Sequence, residues 1–210
     1  RCSAPLQSRS RETMDRFAEA AEELLREKPF EEISIQSIVR RSKRPIGSFY
    51  ARFPSKEALL PYLYERYHRG LEPLFAARLA RVDWDALDFD ETIAGVVDFL
   101  MATYDERRWL MRALVLFTRT RPDAVSPEMI EGRRRVFDRV GAILLRHRSR
   151  IAHADPAAAI RFGIFLVSSV AREKLLFDAP HSRITPMTRR QLRDELIRTL
   201  DSYLTARSPR

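Results

Sequence analysis

A chain of 210 residues is long enough to bury a hydrophobic core, and to join a small domain to a larger one. Its one cysteine, Cys2, excludes an intrachain disulfide and a cysteine-based zinc site, and its 6 scattered glycines argue against a glycine-rich phosphate loop. The formal charge of +9 and sequence pI of about 10.3 point to a polyanionic partner, nucleic acid or an anionic membrane surface, with a solvated basic surface as the plainer reading.

The first ten residues are basic but no apolar run follows them, so they do not read as a secretory signal. Apolar runs such as Ile164–Val167 are far too short to cross a bilayer. Together with the cysteine usage this suits a cytoplasmic protein. Arg1 is not an initiator methionine, which leaves room for a start, and for a further basic arm, upstream.

The periodicity is helical almost throughout. Met14, Phe17, Ala18, Ala21, Leu24 and Leu25 recur at three- and four-residue steps and predict an amphipathic helix over about residues 10–27. Ser10 and Thr13 supply a cap region, and Lys28-Pro29 ends the helix, because the residue before proline is pushed out of the helical region. Ser34 opens a second, short helix bearing Ile35, Ile38 and Val39, which runs out near Ser42. Pro45 suits the first turn of a third helix carrying Ile46, Phe49, Tyr50 and Phe53. Ser55 is expected to N-cap a long fourth helix, with Leu59, Leu60, Leu63, Leu71 and Leu79 on it. Pro61 falls in its first turns and Pro73 is expected to kink it.

The rest reads as a helical bundle. Helices are expected over about residues 90–103, 106–121, 127–148, 156–177 and 188–207, with loops at 122–127 and 179–186. Asp155-Pro156 is an N-cap followed by a first-turn proline. The helix behind it is apolar on nearly every side, with Ile160, Phe162, Ile164, Phe165, Leu166, Val167 and Val170, and such a helix must be buried on more than one side. No strand-like alternation and no internal repeat survive. The expected fold is all-α with about nine helices: a three-helix helix-turn-helix domain over residues 9–54 and a helical domain over residues 55–207.

Two short helices joined by a tight turn and packed on a longer first helix form a helix-turn-helix, whose second helix can enter the major groove. Charge agrees with this placement. Arg40, Arg41, Lys43, Arg44, Arg52 and Lys56 are basic and nothing from Arg40 to Lys56 is acidic, whereas Glu22, Glu23, Glu27, Glu31 and Glu32 precede them. Neutralising phosphates requires a one-signed surface of this kind.

The run Ile38-Val39-Arg40-Arg41-Ser42, followed by Gly47-Ser48-Phe49-Tyr50-Ala51-Arg52-Phe53-Pro54-Ser55-Lys56-Glu57-Ala58-Leu59, resembles the DNA-binding signature of TetR-family regulators. The likeness covers about residues 11–67 in layout and 38–60 in residues. It implies a sequence-specific regulator, a repressor by family default, that binds a palindromic double-stranded DNA operator as a homodimer and answers to a small apolar or amphipathic effector. The DNA-binding set it suggests is Ser34, Gln36, Ser37, Arg41, Lys43, Arg44, Pro45, Ile46, Gly47, Ser48, Tyr50, Ala51 and Lys56. Gly47 allows close approach to DNA, Ser48 can bond a phosphate or a base edge, and the tyrosine matching Tyr50 contacts a phosphate in the family; otherwise Tyr50 is a plain surface residue. Phe49 and Phe53, four apart, are expected in the core. Ser55 and Lys56 are expected to hold a phosphate at a helix start, with Glu57 supporting that start.

The chain departs from the family pattern at Lys43-Arg44-Pro45, where Gly-Val-Ser is usual. Either the turn differs or Lys43 accepts a conformation that glycine tolerates better. Arg44 replaces a half-buried aliphatic residue and should swing outward. Pro45 removes a hydroxyl cap. Ile46 and Ala51 can meet thymine methyls.

By the same resemblance, the helices at 156–177 and 188–207 pair with their counterparts in a second subunit; the alternative is that they complete the monomer core. Tyr104, Trp109, Arg112, Phe117, Phe137, Phe162 and Phe165 are candidate effector-binding residues, with Met111 and Arg133 as further members, although aromatics at helical spacing also simply fill cores. No cofactor or metal is expected: His147 and His153 are six apart, and His68 and His181 are isolated. No serine nucleophile motif is present, so an enzyme is not expected. The remaining alternative, a basic membrane-surface or protein-interaction module, suffers from the interruptions at Pro45, Gly47 and Pro54, which break any continuous amphipathic helix.

Overall fold

The computed structural model describes residues 6–178 and 185–206, with side chains from Ser10 onward. Among these residues there are nine α-helices and no strand: α1 (Leu6–Leu25), α2 (Ile35–Ser42), α3 (Ile46–Tyr50), α4 (Leu59–Leu79), α5 (Phe89–Asp105), α6 (Arg108–Thr120), α7 (Pro127–Leu145), α8 (Pro156–Phe177) and α9 (Arg189–Thr205). Cys2, His181, Arg207 and most of the loop expected at 179–186 lie outside the described residues.

The chain divides into two compact units. The first runs through Arg69 and takes in Trp109–Val125; the second comprises Gly70–Arg108 and the chain from Ser126 onward. The division falls inside α4. Pro73, within that helix, has no N–H to give the carbonyl of Arg69, four residues back, so the backbone ladder is interrupted where one unit ends.

The first unit is organised on three phenylalanines. Phe17 of α1 and Phe49 of α3 are fully buried, with ring centroids 5.3 Å apart and edge to face. Phe53 completes the cluster at 5.4 Å from Phe49. Ile33, Ile38, Leu59 and Leu63 are buried in the same unit. The α6 segment belongs to this unit through Phe117, which packs on Tyr64 of α4 with ring centroids 6.2 Å apart.

Helix α4 starts later than Ser55 would suggest. Residues 52–58 form turns, and Leu59 and Leu60 bond the carbonyls of Lys56 and Glu57 in the tighter three-residue pattern. Pro61 cannot donate to the Glu57 carbonyl, which blocks a regular helix from extending back through it. Ser55 Oγ instead accepts from the Ala58 N–H, capping the turn.

The second unit is a bundle with well-formed helix starts. Asp88 and Glu91 make a reciprocal capping box on α5, Thr188 and Gln191 another on α9, and Asp155 accepts from the Ala158 N–H ahead of α8. Val96 and Val97 of α5, Val140 and Leu144 of α7, Ile164 and Val167 of α8, and Leu196 and Leu200 of α9 form the core. Helices α8 and α9 come close enough that a Cβ on Gly163 would lie 2.8 Å from Leu200 Cδ1, so a side chain here would have to push Leu200 aside. Helix α8 is not covered all round: Phe162, Phe165 and Val170 are exposed.

Candidate nucleic-acid interface

Helix α2 begins on Ser34, whose Oγ accepts from the Ser37 N–H at 3.1 Å. Ser37 is buried, and its hydroxyl donates to the Ser34 carbonyl at 2.7 Å. Ser37 therefore serves the helix start and is withdrawn from the surface assigned to it, while Gln36 stays exposed.

The turn keeps its left-handed residue without glycine. Lys43 has φ 55° and ψ 38°, with its N–H on the Arg40 carbonyl and the Arg44 N–H on the Val39 carbonyl. Of the two alternatives, the non-glycine residue accepting the awkward backbone is the one found, at a cost of about 1–2 kcal/mol. Lys43→Gly is expected to stabilise the first unit by about 0.5–1 kcal/mol, since relief of strain outweighs the added freedom of the unfolded chain. Urea denaturation of the two proteins measures the difference. Pro45, expected in the first turn of α3, stands one residue earlier as its N-cap, with φ −64° and ψ 147°, and offers no side-chain cap.

Helix α3 sorts its side chains cleanly. Phe49 points into the core, whereas Ile46, Gly47, Tyr50 and Ala51 are exposed and Ser48 is half-buried. The Tyr50 and Phe49 rings stand edge to face with centroids 5.8 Å apart, which steadies Tyr50 while its side chain stays exposed.

The cations are more engaged than their run in sequence suggests. Arg41 donates to Glu27 at 2.8 Å and to Glu23 at 3.3 Å. Those bonds, Glu27 first, hold its guanidinium pKa above the usual value. Arg44 lies 3.8 Å from Glu12, and Arg52 donates to the Ser48 carbonyl at 3.0 Å. Arg41, Lys43 and Arg44 share a polar cleft of about 570 Å³ with Arg16, Glu19 and Glu23 of α1. The one-signed stretch of sequence is thus bordered in space by the acidic face of α1. Exposed pairs of this kind contribute little, so a phosphate can displace them.

Lys56 has a structural duty. Its ammonium donates to the carbonyls of Phe30 and Glu31, each at 3.0 Å, and sits 4.9 Å from the centre of the Phe30 ring. This clamps the turn after α3 to the connector after α1. Two of its three N–H bonds are occupied, which leaves one for a phosphate. Glu57 has its carboxyl pKa lowered by its own backbone N–H and then by the Ser55 hydroxyl, in keeping with support of the turn.

Of the seven candidate effector residues, Trp109, Arg112 and Phe117 belong to the first unit, and Tyr104, Phe137, Phe162 and Phe165 to the second. Trp109 and Arg112 border a cleft of about 280 Å³ with Leu25, Phe30 and Arg26, whose guanidinium stacks 5.4 Å from the Trp109 ring centre. Phe117 is buried against Tyr64, and Tyr104 is buried and bonded to Ser168 at 2.7 Å. Phe137 is half-buried. Phe162 and Phe165 are 51% and 58% exposed on α8. Met111 is buried and Arg133 exposed. A groove of about 530 Å³ between α8 and α9, lined by Val167, Val170, Phe177, Met187, Leu192 and Leu196, contains none of the seven. Helical periodicity marked these residues only as apolar and could not pair the two helices.

No group of three or more His, Cys, Asp or Glu placed to hold a metal occurs among the described residues, and none of their helices is long and apolar enough to cross a membrane.

A family model described as bacterial regulatory proteins, tetR family, matches residues 18–63. The segment begins in α1 and ends in the first turns of α4, enclosing α2, the Lys43 turn and α3. The fold as a whole matches a TetR-family transcriptional regulator from Mesorhizobium loti MAFF303099, with TM-score 0.58 and 14% identity, over 93% of this chain and 96% of that one. A TetR-family regulator from Pseudomonas syringae pv. tomato str. DC3000 matches with TM-score 0.55 and 20% identity, over 96% and 97% of the two chains. The fatty acid degradation regulator FadR from Bacillus halodurans matches with TM-score 0.55 and 13% identity, over 97% of each chain. At these identities the likeness is one of fold. Comparison with curated proteins by sequence finds no match.

Proposed function

We propose, from the match of residues 18–63 to the tetR-family model, that the chain is a TetR-family regulator: a cytoplasmic, dimeric, sequence-specific repressor of transcription that releases a palindromic operator when a small effector binds. The observation that carries the DNA-binding part is the exposed face of α3, with Ile46, Gly47, Tyr50 and Ala51 outward and Phe49 locked in the core. A recognition helix needs this division: one side fixes its position and the other meets base edges and phosphates.

Residues 9–54 serve as the DNA-binding domain, with Tyr50 and the remaining N–H of Lys56 on phosphates. Residues 55–207 dimerise and take the effector. Dimerisation is supported by the exposed Phe162, Phe165 and Val170 on a helix whose opposite side is already core. Two heads can then read half-sites about 34–36 Å apart on one face of the duplex. The effector is small and apolar or amphipathic, in keeping with the mainly apolar side chains along the α8–α9 groove, and it must bind the two states with different affinity to move the equilibrium.

Salt titrations of DNA binding test the contact assignments. Tyr50→Phe is expected to weaken every duplex by about five- to tenfold, the loss of one hydrogen bond, with an unchanged salt slope. Lys56→Ala is expected to weaken every duplex and to lower the slope of log K against log salt by about one. Unchanged profiles for both variants would remove this segment from the DNA interface.

A further inference from the structure

Helix α3 consists of Ile46, Gly47, Ser48, Phe49 and Tyr50 and holds no charged side chain. Its first residue, Ile46, is 45% exposed, a large aliphatic group facing water. A Cβ built on Gly47 meets nothing within 4 Å, and Ala51, one turn on from Gly47, is short and exposed, so the surface of α3 beside the exposed Ile46 is open. None of the nearby guanidinium groups stands on α3: Arg41 pairs with Glu23 and Glu27, Arg44 lies beside Glu12, and Arg52 folds back on the Ser48 carbonyl. N-terminal residues of a recognition helix contact base edges. The apolar feature that the major groove offers is the C5-methyl group of thymine.

We infer that Ile46 reads the C5-methyl group of a thymine in each half-site, so that the centre of the reading face recognises a methyl group and not a hydrogen-bonding pattern. The inference rests on the DNA-binding function proposed above and names the chemical feature that the site takes from its DNA. Contact removes both the exposed Ile46 side chain and the methyl group from water. Burial of one methyl corresponds to about fourfold in affinity. Because 5-methylcytosine carries its methyl at the same ring position, methylation of a cytosine placed there is read as the same apolar contact.

The test uses the full chain and a duplex carrying the operator obtained by selection from a random pool. Each thymine is replaced in turn by deoxyuridine, which removes the methyl and keeps the base pair, and affinity is followed by fluorescence anisotropy. One position in each half-site is expected to lose about fourfold with the wild-type protein. In Ile46→Ala the loss at that position disappears, while the salt slope stays that of wild type because no phosphate contact has changed. A cytosine at that position should gain the same factor on 5-methylation with wild type and nothing with Ile46→Ala. Circular dichroism confirms that the variant, altered at a surface residue, is folded. Tolerance of deoxyuridine at every position, or an equal loss in wild type and Ile46→Ala, overturns the inference and leaves the operator-binding function standing. Failure of the pool to yield any preferred sequence overturns both.

Discussion

Phe165→Asp is expected to yield a folded monomer whose affinity for a palindromic operator falls on the order of 10²–10⁴-fold, the advantage that linking two binding heads confers. The side chain is 58% exposed, so a charge there costs the isolated chain little, within about 0.5 kcal/mol for a surface change. In a dimer packed through α8 the same charge faces its own copy across a symmetric interface, where it is desolvated beside a like charge. Light scattering after size exclusion, a thermal melt and a binding titration separate the effects. A dimer that persists, or a melting temperature that collapses with it, contradicts the assignment of this face.

The second large effect lies in the head. Phe49→Ala should destabilise the first unit by about 3–5 kcal/mol, a substantial part of the roughly 5–15 kcal/mol that holds an ordinary domain together. Helix α3 has five residues and no side-chain N-cap, so it has no stability of its own. What keeps it in place is the Phe49 ring against Phe17 and Phe53, at 5.3 Å and 5.4 Å. Truncation leaves a cavity where the recognition helix is anchored, and specific DNA binding should be lost at temperatures where the wild type is intact. Urea denaturation gives the energy; wild-type stability in Phe49→Ala would mean that the three-phenylalanine cluster is not the keystone of the head.

Much of the fold was legible because burial has a period. The apolar spacing in α1, α4 and α9 located those helices, and local chemistry marked starts at Ser34 and Asp155. The inward Phe49 and the outward Tyr50 follow from the same three-to-four rule. Other features depended on pairings between elements. Arg41 finds Glu23 and Glu27, 18 and 14 residues upstream, only because α2 packs on α1. Lys56 reaches back to Phe30 and Glu31 across the turn, and the buried hydroxyl of Ser37 bonds within its own helix start. The delayed start of α4 turned on Pro61, six residues after the serine that signals a cap. Phe162 and Phe165 show the limit most clearly. A helix apolar all round reads the same whether its outer face meets its own bundle or another chain.

The most direct test of a dimeric, sequence-specific regulator is selection of bound duplexes from a randomised DNA pool at near-physiological salt. Enrichment of a palindrome with half-sites about one helical turn, or a multiple of it, apart is the predicted result. Salt-sensitive binding with no enriched sequence would contradict it, leaving a basic helical protein held to DNA by charge alone.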